Sequence, residues 1–230
     1  HYLKNGGYVF SSNFALYGDM SARVMNILES VSPSVEIYSI DEAFLDLDTL
    51  DKNFNLYKFG CHVKGLIKQW TGVPVRVGIA PTKTLTKVAI YQVKKMNVAT
   101  RVVQLITQQE IMKALSLTPV GEVWGVGRRL NQHLQQMGIV SALDLAQCDP
   151  AYIRQKFSIV LERTVRELRG ERCLEIEHDM AAKKQIVVSR SFGQRVDHLS
   201  VLQPIVSNFV VRATEKLRDE KQKCSQVSVF

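Results

Sequence analysis

A pair of adjacent carboxylates inside a strand-like segment constrains the fold of this chain more than any other feature. Residues 37–46 alternate in the manner of a β-strand, yet Asp41 and Glu42 stand at their centre. Acidic residues are depleted in strands, and a charge without a partner is costly to bury. The segment is therefore predicted to form two strands, residues 35–40 and 43–47, joined by a turn or bulge at which the two carboxylates converge.

A divalent metal ion is the ligand that such a pair of carboxylates suggests. Mg²⁺ prefers carboxylate oxygens and keeps positions open for water and substrate phosphates. Two-metal centres of this kind carry out in-line phosphoryl displacement. Asp41 and Glu42 are therefore candidate catalytic and metal-binding residues. A solvated Asp-Glu turn without chemistry is the alternative, and the dipeptide alone does not decide between the two.

Net charge favours a polyanionic partner. The chain carries a net charge of +8, which is concentrated at its two ends. Residues 1–115 hold 13 basic and 9 acidic side chains, residues 116–182 hold 8 and 9, and residues 183–230 hold 9 and 4. Lysine and arginine gain affinity for nucleic acid because neutralised phosphates release their counterions. Charge alone does not establish such a partner, since many basic proteins bind no nucleic acid.

Several classes of protein are disfavoured by composition. Four cysteines are scattered without the spacing of a zinc site or a disulfide framework. No apolar run approaches the roughly 20 residues that span a bilayer, so no membrane partner is expected. A reduced, cytoplasmic setting is the expected localisation.

Hydrophobic periodicity divides the chain into a first region of mixed structure and a second of short helices. Helices are predicted over residues 14–30, 57–70 and 82–94, and strands over 73–79 and 101–105, in addition to the two strands at the acidic pair. This α-β-β-α-β-α-β order is typical of an α+β sandwich with helices on one face of a mixed sheet. After residue 119, short helices alternate with glycine-containing turns. Residues 175–184 read as a linker, followed by a strand at 186–192, a helix at 201–217 and a strand at 224–230.

Two further motifs carry candidate binding chemistry. Gly125-Val126-Gly127 is followed directly by a predicted helix start, which would aim backbone N–H groups and the positive end of the helix dipole at an anion. This pattern resembles the helix-hairpin-helix motif that grips a phosphate without reading sequence. An αα-hairpin whose glycines serve only packing is the alternative. Lys83, Lys87 and Lys94 recur at helical spacing, so they form a cationic row or, in the simpler interpretation, a solvated face.

Taken in order, the motifs resemble those of the Y-family, or translesion, DNA polymerases, and most closely the UmuC/MucB/ImpB branch, which includes the catalytic subunit of DNA polymerase V. The resemblance covers nearly the whole chain. It is carried by five segments, residues 11–25, 35–47, 77–87, 123–130 and 161–170.

The resemblance implies roles for individual residues. Asp41 and Glu42 match two of the catalytic carboxylates of the palm, where they would bind Mg²⁺. Lys94 matches the lysine that contacts the triphosphate of the incoming dNTP, with a one-residue ambiguity toward Lys95. The remaining candidates would contact primer–template DNA: Ser39, Lys83, Lys87 and, in the phosphate grip of the thumb, Gly125, Val126, Gly127 and Arg128.

The same resemblance implies a domain plan. Residues 1–115 would be a ferredoxin-like palm lacking its first strand, with the end of the fingers at 1–13. Residues 116–177 would be a helix-hairpin-helix thumb, 178–185 a linker, and 186–230 a partial β-α-β little finger. In the family another catalytic aspartate and most of the fingers come before such a palm. We therefore expect a chain truncated at both ends, which binds Mg²⁺ weakly and extends no primer by itself.

Other functions remain compatible with the sequence. The chain could be a non-catalytic module that binds DNA or a partner protein through a vestigial palm, or a diverged paralogue kept for assembly. The resemblance also implies a bacterial protein associated with the nucleoid. It leaves open whether UmuD′-like and RecA-like proteins or a sliding clamp are needed as partners of the intact protein.

Overall fold

The computed structural model describes residues 6–8, 10, 12–48, 54–95, 99–177 and 184–229. The chain divides into two compact units, residues 1–178 and residues 179–230. In chain order, the first unit contains α1 (Phe14–Val31), β1 (Val35–Ser39), β2 (Glu42–Leu45), α2 (Leu56–Thr71), β3 (Val77–Ile79), α3 (Lys83–Lys95), β4 (Val102–Gln104), α4 (Gln108–Ser116), α5 (Arg128–Gln136), α6 (Ala142–Gln147), α7 (Pro150–Lys156) and α8 (Ile159–Leu168). This order confirms the predicted α-β-β-α-β-α-β succession and the short helices that follow it.

The four strands form two separate pairs. β1 and β2 pair as an antiparallel hairpin, whereas β3 and β4 pair in parallel across the α3 crossover. No described strand joins the pairs, so the described residues do not form the single mixed sheet that was predicted. The hairpin instead attaches to α3 through side chains, as the ion pairs of Lys83 and Lys87 with the hairpin illustrate.

Two hydrophobic cores hold the first unit together. The smaller core lies between α1, α2 and the hairpin, and includes Met25, Leu28 and Ile67. The larger core runs without interruption from α3 and α4 into α5–α8, with Leu85, Leu134 and other side chains fully buried. Helix α3 therefore packs against α4 and α8 as well as against its own strands, β3 and β4.

Three predicted strands differ from the structure. The segment predicted as a strand at 73–79 pairs only over β3, because Pro74 lacks an N–H to donate to a neighbouring strand. In the second unit, the described part contains one helix, α9 (Leu199–Asp219), and no strand at 186–192 or 224–229. A strand without a paired neighbour cannot satisfy its backbone groups, and a lone pair around one helix is marginal at best. The predicted partial β-α-β unit is thus reduced to its helix.

Candidate active site

The acidic pair lies at the tip of the β1–β2 hairpin. Ile40 and Asp41 form the turn, and Glu42 is the first residue of β2, opposite Ser39. The register shifts between Ile37 and Ser39, so the strand pairing is irregular next to the turn. The predicted turn or bulge at the carboxylates is confirmed, and both acidic residues are exposed.

Each carboxylate of the pair has a partner within the chain. The hydroxyl of Ser39 donates to Oδ1 of Asp41 at 2.7 Å, and the N–H of Asp41 donates back to that hydroxyl oxygen at 3.4 Å. Ser39 therefore orients the Asp41 carboxylate in this structure. Nζ of Lys87 donates to Oε2 of Glu42 at 2.6 Å. A helix distant in sequence thus supplies a cation to the hairpin tip.

Lys83 has a different environment from the one its predicted DNA contact requires. Its side chain is buried and pairs with the equally buried carboxylate of Glu36 in β1. It also donates to the carbonyl oxygen of Glu175 at 2.6 Å. Burial and two internal acceptors give Lys83 a structural role and disfavour a DNA contact, which stays a prediction. Helical spacing placed it correctly on one face of α3, but it could not show that this end of the face is buried.

Lys87 and Lys94 lie progressively farther out along the same helix. The side chain of Lys87 is 17% exposed, and Lys94 is exposed in the last turn of α3. The adjacent Lys95 lies 5.7 Å from the ring centroid of Tyr91. Lys94 is therefore accessible to solvent and remains a candidate contact for a nucleotide.

A segment after α8, residues 171–177, lies against the hairpin and the start of α3. The backbone N–H of Glu177 donates to Oε2 of Glu36 at 2.8 Å. Arg172 pairs with Asp46 at 2.6 Å and also with Asp48; the bond to Asp46 is the main reason why the pKa of the guanidinium is raised. The hairpin is therefore fixed by this segment as well as by α3.

Glu167 connects α8 to the same region from inside the core. Its carboxylate is fully buried and accepts backbone N–H groups from Thr84 at 3.0 Å, from Cys173 at 2.8 Å and from Leu174 at 3.1 Å. The hydroxyl of Thr82 also donates to its carbonyl oxygen at 2.9 Å. Three donors satisfy a buried charge that would otherwise be very costly. Sequence reasoning missed Glu36 and Glu167, because an isolated glutamate in a periodic segment normally faces solvent.

The Gly-Val-Gly turn leads directly into α5. Gly125 adopts a positive φ of 88°, a conformation that favours glycine. Gly127 is the N-cap residue and offers no side chain to the first turn of the helix, so the terminal N–H groups there remain available to an anion. Arg128 is exposed at the helix start. Val126 is buried, and its N–H donates to the carbonyl of Val123, so Val126 supports the turn from inside. Its predicted DNA contact stays a prediction.

Trp124 brings this turn to the acidic hairpin. Its ring lies 5.4 Å from that of Tyr38 and 5.9 Å from that of Phe44, centroid to centroid. The three rings surround the ammonium of Lys87. The phosphate-grip candidate and the carboxylate pair are therefore neighbours in space, although about 80 residues separate them in sequence. The sequence feature that could have indicated this contact is Trp124, a large aromatic residue directly before the Gly-Val-Gly turn.

The donor chemistry of the hairpin tip fits a hard cation, with two carboxylates as its ligands. Asp41 and Glu42 would hold such an ion. Among the described residues, no group of three or more His, Cys, Asp or Glu side chains is placed to hold a metal.

The described helices include none that is long and apolar enough to cross a membrane.

Comparison with known proteins identifies the family. A model of the impB/mucB/samB family matches residues 2–90, and a model of its C-terminal domain matches residues 183–230. Protein ImpB of Salmonella typhimurium is 50% identical over 97% of this chain and 53% of its own length. The chain belongs to the impB/mucB/samB family. Protein UmuC of Salmonella typhimurium (strain LT2) is 47% identical over 100% of this chain and 54% of its own length.

These matches place the chain in the UmuC branch, as the sequence motifs indicated, and it spans about half the length of these relatives. A solved Y-family DNA polymerase chimera of Dbh and Dpo4 has a similar fold, with a TM-score of 0.67 at 19% identity over 89% of this chain and 58% of the chimera. The fold of this impB/mucB/samB member is thus similar to part of the fold of that Y-family polymerase chimera.

Proposed function

We propose that this chain provides the palm, the thumb and the start of the little finger of an error-prone translesion DNA polymerase. The intact protein would add dNTPs to a primer opposite damaged template bases. The observation that carries the proposal is the hairpin tip. It presents Asp41 and Glu42 at the surface, beside a cationic helix and a helix N-terminus, in a member of the impB/mucB/samB family.

In the proposed mechanism, Asp41 and Glu42 would hold Mg²⁺, which would supply charge neutralisation for phosphoryl transfer. Ser39 keeps the Asp41 carboxylate oriented through the 2.7 Å hydrogen bond. Lys94 binds the triphosphate of the incoming dNTP. Gly125, Gly127 and Arg128 hold a backbone phosphate of the duplex at the start of α5. Lys94 and the groups at the start of α5 thus position the substrates. Positioning is the main contribution that a protein makes to phosphoryl transfer.

The 230-residue chain by itself is proposed to be inactive. The described residues provide two carboxylates at the hairpin tip and no group of three acidic or other metal-binding side chains. One of the two is already paired with Lys87. Weak binding of Mg²⁺ and no measurable primer extension are therefore expected of this chain.

A non-catalytic module is the second candidate, and the Lys87–Glu42 ion pair favours it. A carboxylate neutralised by a lysine within the chain has no need of a metal, and such a chain would use its helix N-terminus and basic residues to bind DNA or a partner. UmuD′-like proteins, RecA-like proteins and a sliding clamp remain predicted partners of the intact protein. The predicted nucleoid association remains a prediction as well.

A chimeric enzyme separates the two candidates. The half of ImpB that aligns with this chain is replaced by residues 1–230, and primer extension is measured with and without Asp41→Ala and Glu42→Ala. If the chain is a polymerase palm, the chimera extends a primer and either substitution abolishes extension, while binding of primer–template DNA is retained. Equal extension by the substituted chimeras would refute the assignment of the carboxylates. Binding of DNA without extension by the unsubstituted chimera would favour the non-catalytic module.

A further inference from the structure

Three aromatic rings form a cage around the ammonium of Lys87. Nζ lies 4.7 Å from the ring centroid of Tyr38, 5.2 Å from that of Phe44 and 5.3 Å from that of Trp124. The rings come from β1, β2 and the turn before α5, and only 17% of the Lys87 side chain is exposed. A cation within about 6 Å of a ring face is attracted to it, and more strongly when water is excluded. Lys87 is thus held at a fixed place.

The cage has a rigid base. Its rings pack against each other, with Tyr38 edge-on to both Phe44 and Trp124. Phe44 is buried, and Nζ of Lys83 lies 5.3 Å from its ring centroid on the side of the buried Glu36 ion pair. Phe44 therefore anchors the cage in the interior, whereas Tyr38, which is 46% exposed, closes it on the solvent side.

The acceptor of Lys87, in contrast, is exposed. Glu42 accepts from Nζ at 2.6 Å, while 43% of its side chain is exposed to solvent. The Lys87 ammonium is shielded and held by three rings, whereas the Glu42 carboxylate is solvated at the end of a turn. The carboxylate therefore has more freedom to move. Of the two partners, Glu42 is the one that can exchange its contact.

We propose that the ammonium of Lys87 neutralises Glu42 in place of the metal until a divalent ion binds. This inference rests on the function proposed above, in which Glu42 is a metal ligand. A single carboxylate oxygen cannot serve an ammonium and a divalent ion at full strength, since the two cations repel each other at short range. Glu42 then passes from Lys87 to the metal, and the aromatic cage retains the ammonium beside it.

This role makes Lys87 a positioning residue, because it acts through Glu42. It neutralises the hairpin tip when no metal is present, and it raises the metal concentration needed to load the site. After the exchange, the freed ammonium is next to the place where a substrate phosphate would bind. A purely structural latch between the hairpin and Trp124 would share the contacts, but it would leave the metal affinity unchanged.

The test measures Mn²⁺ affinity of the 230-residue chain by the loss of the free-ion EPR signal. Lys87→Met removes the charge but keeps an unbranched chain in the cage, and it is expected to tighten Mn²⁺ binding about ten-fold. Lys87→Arg keeps a cation there and should bind as the wild type does. Lys113→Met removes the same charge from an exposed position on α4 and is the control. Unchanged or weaker Mn²⁺ binding by Lys87→Met, with Lys113→Met behaving as wild type, overturns the inference.

A second measurement observes Lys87 in the wild-type protein and uses a substitution only to assign its signal. In protein labelled at the lysine Cε with ¹³C, the Lys87 signal, assigned with Lys87→Arg, is expected to be displaced by the ring currents of the cage. Saturation with Mg²⁺ should shift it, because the ammonium loses its Glu42 partner. A Lys87 signal that stays in place while Mg²⁺ displaces bound Mn²⁺ overturns the inference.

The double variant Asp41→Asn/Glu42→Gln distinguishes failure of the proposed metal site from failure of the role proposed for Lys87. If it binds Mn²⁺ as tightly as the wild type does, the carboxylate pair is not the metal site, and the proposed function and the inference are both wrong. If the double variant loses binding but Lys87→Met does not tighten it, the proposed function stands and only the inference is wrong. Absence of Mn²⁺ binding to both the wild type and Lys87→Met also overturns the inference.

Discussion

The carboxylate of Glu36 and the ammonium of Lys83 form a buried ion pair that fastens the acidic hairpin to the start of α3. Both side chains are 9% exposed. The pair is completed by the carbonyl of Glu175 and the N–H of Glu177, which bring a third segment to the same point. The position of Asp41 and Glu42 in the molecule therefore depends on a charge pair that itself takes no part in the proposed chemistry.

Removal of one partner of this pair is expected to destabilise the chain strongly. Lys83→Met leaves Glu36 buried and uncompensated, which costs about 3 kcal/mol of unfolding free energy. Glu36→Gln/Lys83→Met removes both charges and should lose less than Lys83→Met does. Urea unfolding measures both values. Wild-type stability of Lys83→Met would mean that Glu36 is solvated or has another partner.

Glu167 is expected to hold residues 171–177 in place. Glu167→Gln keeps the size of the side chain, but it removes the charge and replaces one of the two acceptor oxygens by an NH₂ group, which cannot accept an N–H. Loss of charge-assisted hydrogen bonds of this kind costs about 2 kcal/mol. Hydrogen exchange of the backbone N–H groups of Cys173 and Leu174 should accelerate. Glu171→Gln, at an exposed side chain, is the matched control, and equal exchange in the two variants would contradict the prediction.

Arg128 is expected to contribute one phosphate contact to DNA binding. Arg128→Ala should weaken binding to primer–template DNA on all sequences alike and reduce the slope of log affinity against log salt by about 1. Fluorescence anisotropy at several salt concentrations gives the slope. Lys113→Ala removes an exposed charge from α4 and should leave it unchanged. A sequence-dependent loss for Arg128→Ala would indicate base recognition instead.

Comparison of two adjacent lysines resolves the one-residue ambiguity at the nucleotide site. In the ImpB chimera, Lys94→Ala is expected to raise the KM for dNTP by about ten-fold, the typical effect of one lost charge-assisted contact of about 1.5 kcal/mol. Lys95→Ala should have little effect, since its ammonium lies near the ring of Tyr91. Steady-state extension kinetics give both KM values. A larger rise in KM for Lys95→Ala than for Lys94→Ala would assign the contact to Lys95.

The stability of α6 should depend on pH through Asp144. Hydrogen bonds from the N–H of Ser141, from its hydroxyl and from the N–H of Val140 lower the pKa of the Asp144 carboxyl below its ordinary value. A lowered pKa in the folded state stabilises the fold above the ordinary Asp pKa of about 3.9, and this contribution is lost as the pH falls through the lower, folded-state pKa. Asp144→Asn should therefore be less stable than the wild type at about pH 7, with the difference shrinking at about pH 3. A difference that is independent of pH would assign the effect to hydrogen bonding alone.

Local patterns predicted the elements of the first unit well. Helices α1, α2 and α3 begin and end within one residue of the predicted bounds, because their apolar spacing and caps are properties of short segments. The strands of the second unit were wrong, since a β-branched segment becomes a strand only when another segment pairs with it. Lys83 shows the same limit on a single side chain. Its spacing placed it on the face of α3 that carries Lys87, and only the packing of Glu36 and residues 175–177 buried it.

The sequence by itself determined the hairpin with its turn at Asp41 and Glu42, the glycine-rich turn before α5, and membership of the impB/mucB/samB family. The two turns depend on residues that are close along the chain, and family membership depends on the order of short motifs, each of which is local. Only the tertiary structure decided which charges face solvent and which are neutralised within the chain. Glu36, Glu167 and Lys87 meet partners between 45 and 141 residues away. The energy of a charge depends on burial and on nearby opposite charges, and neither is a property of a local pattern.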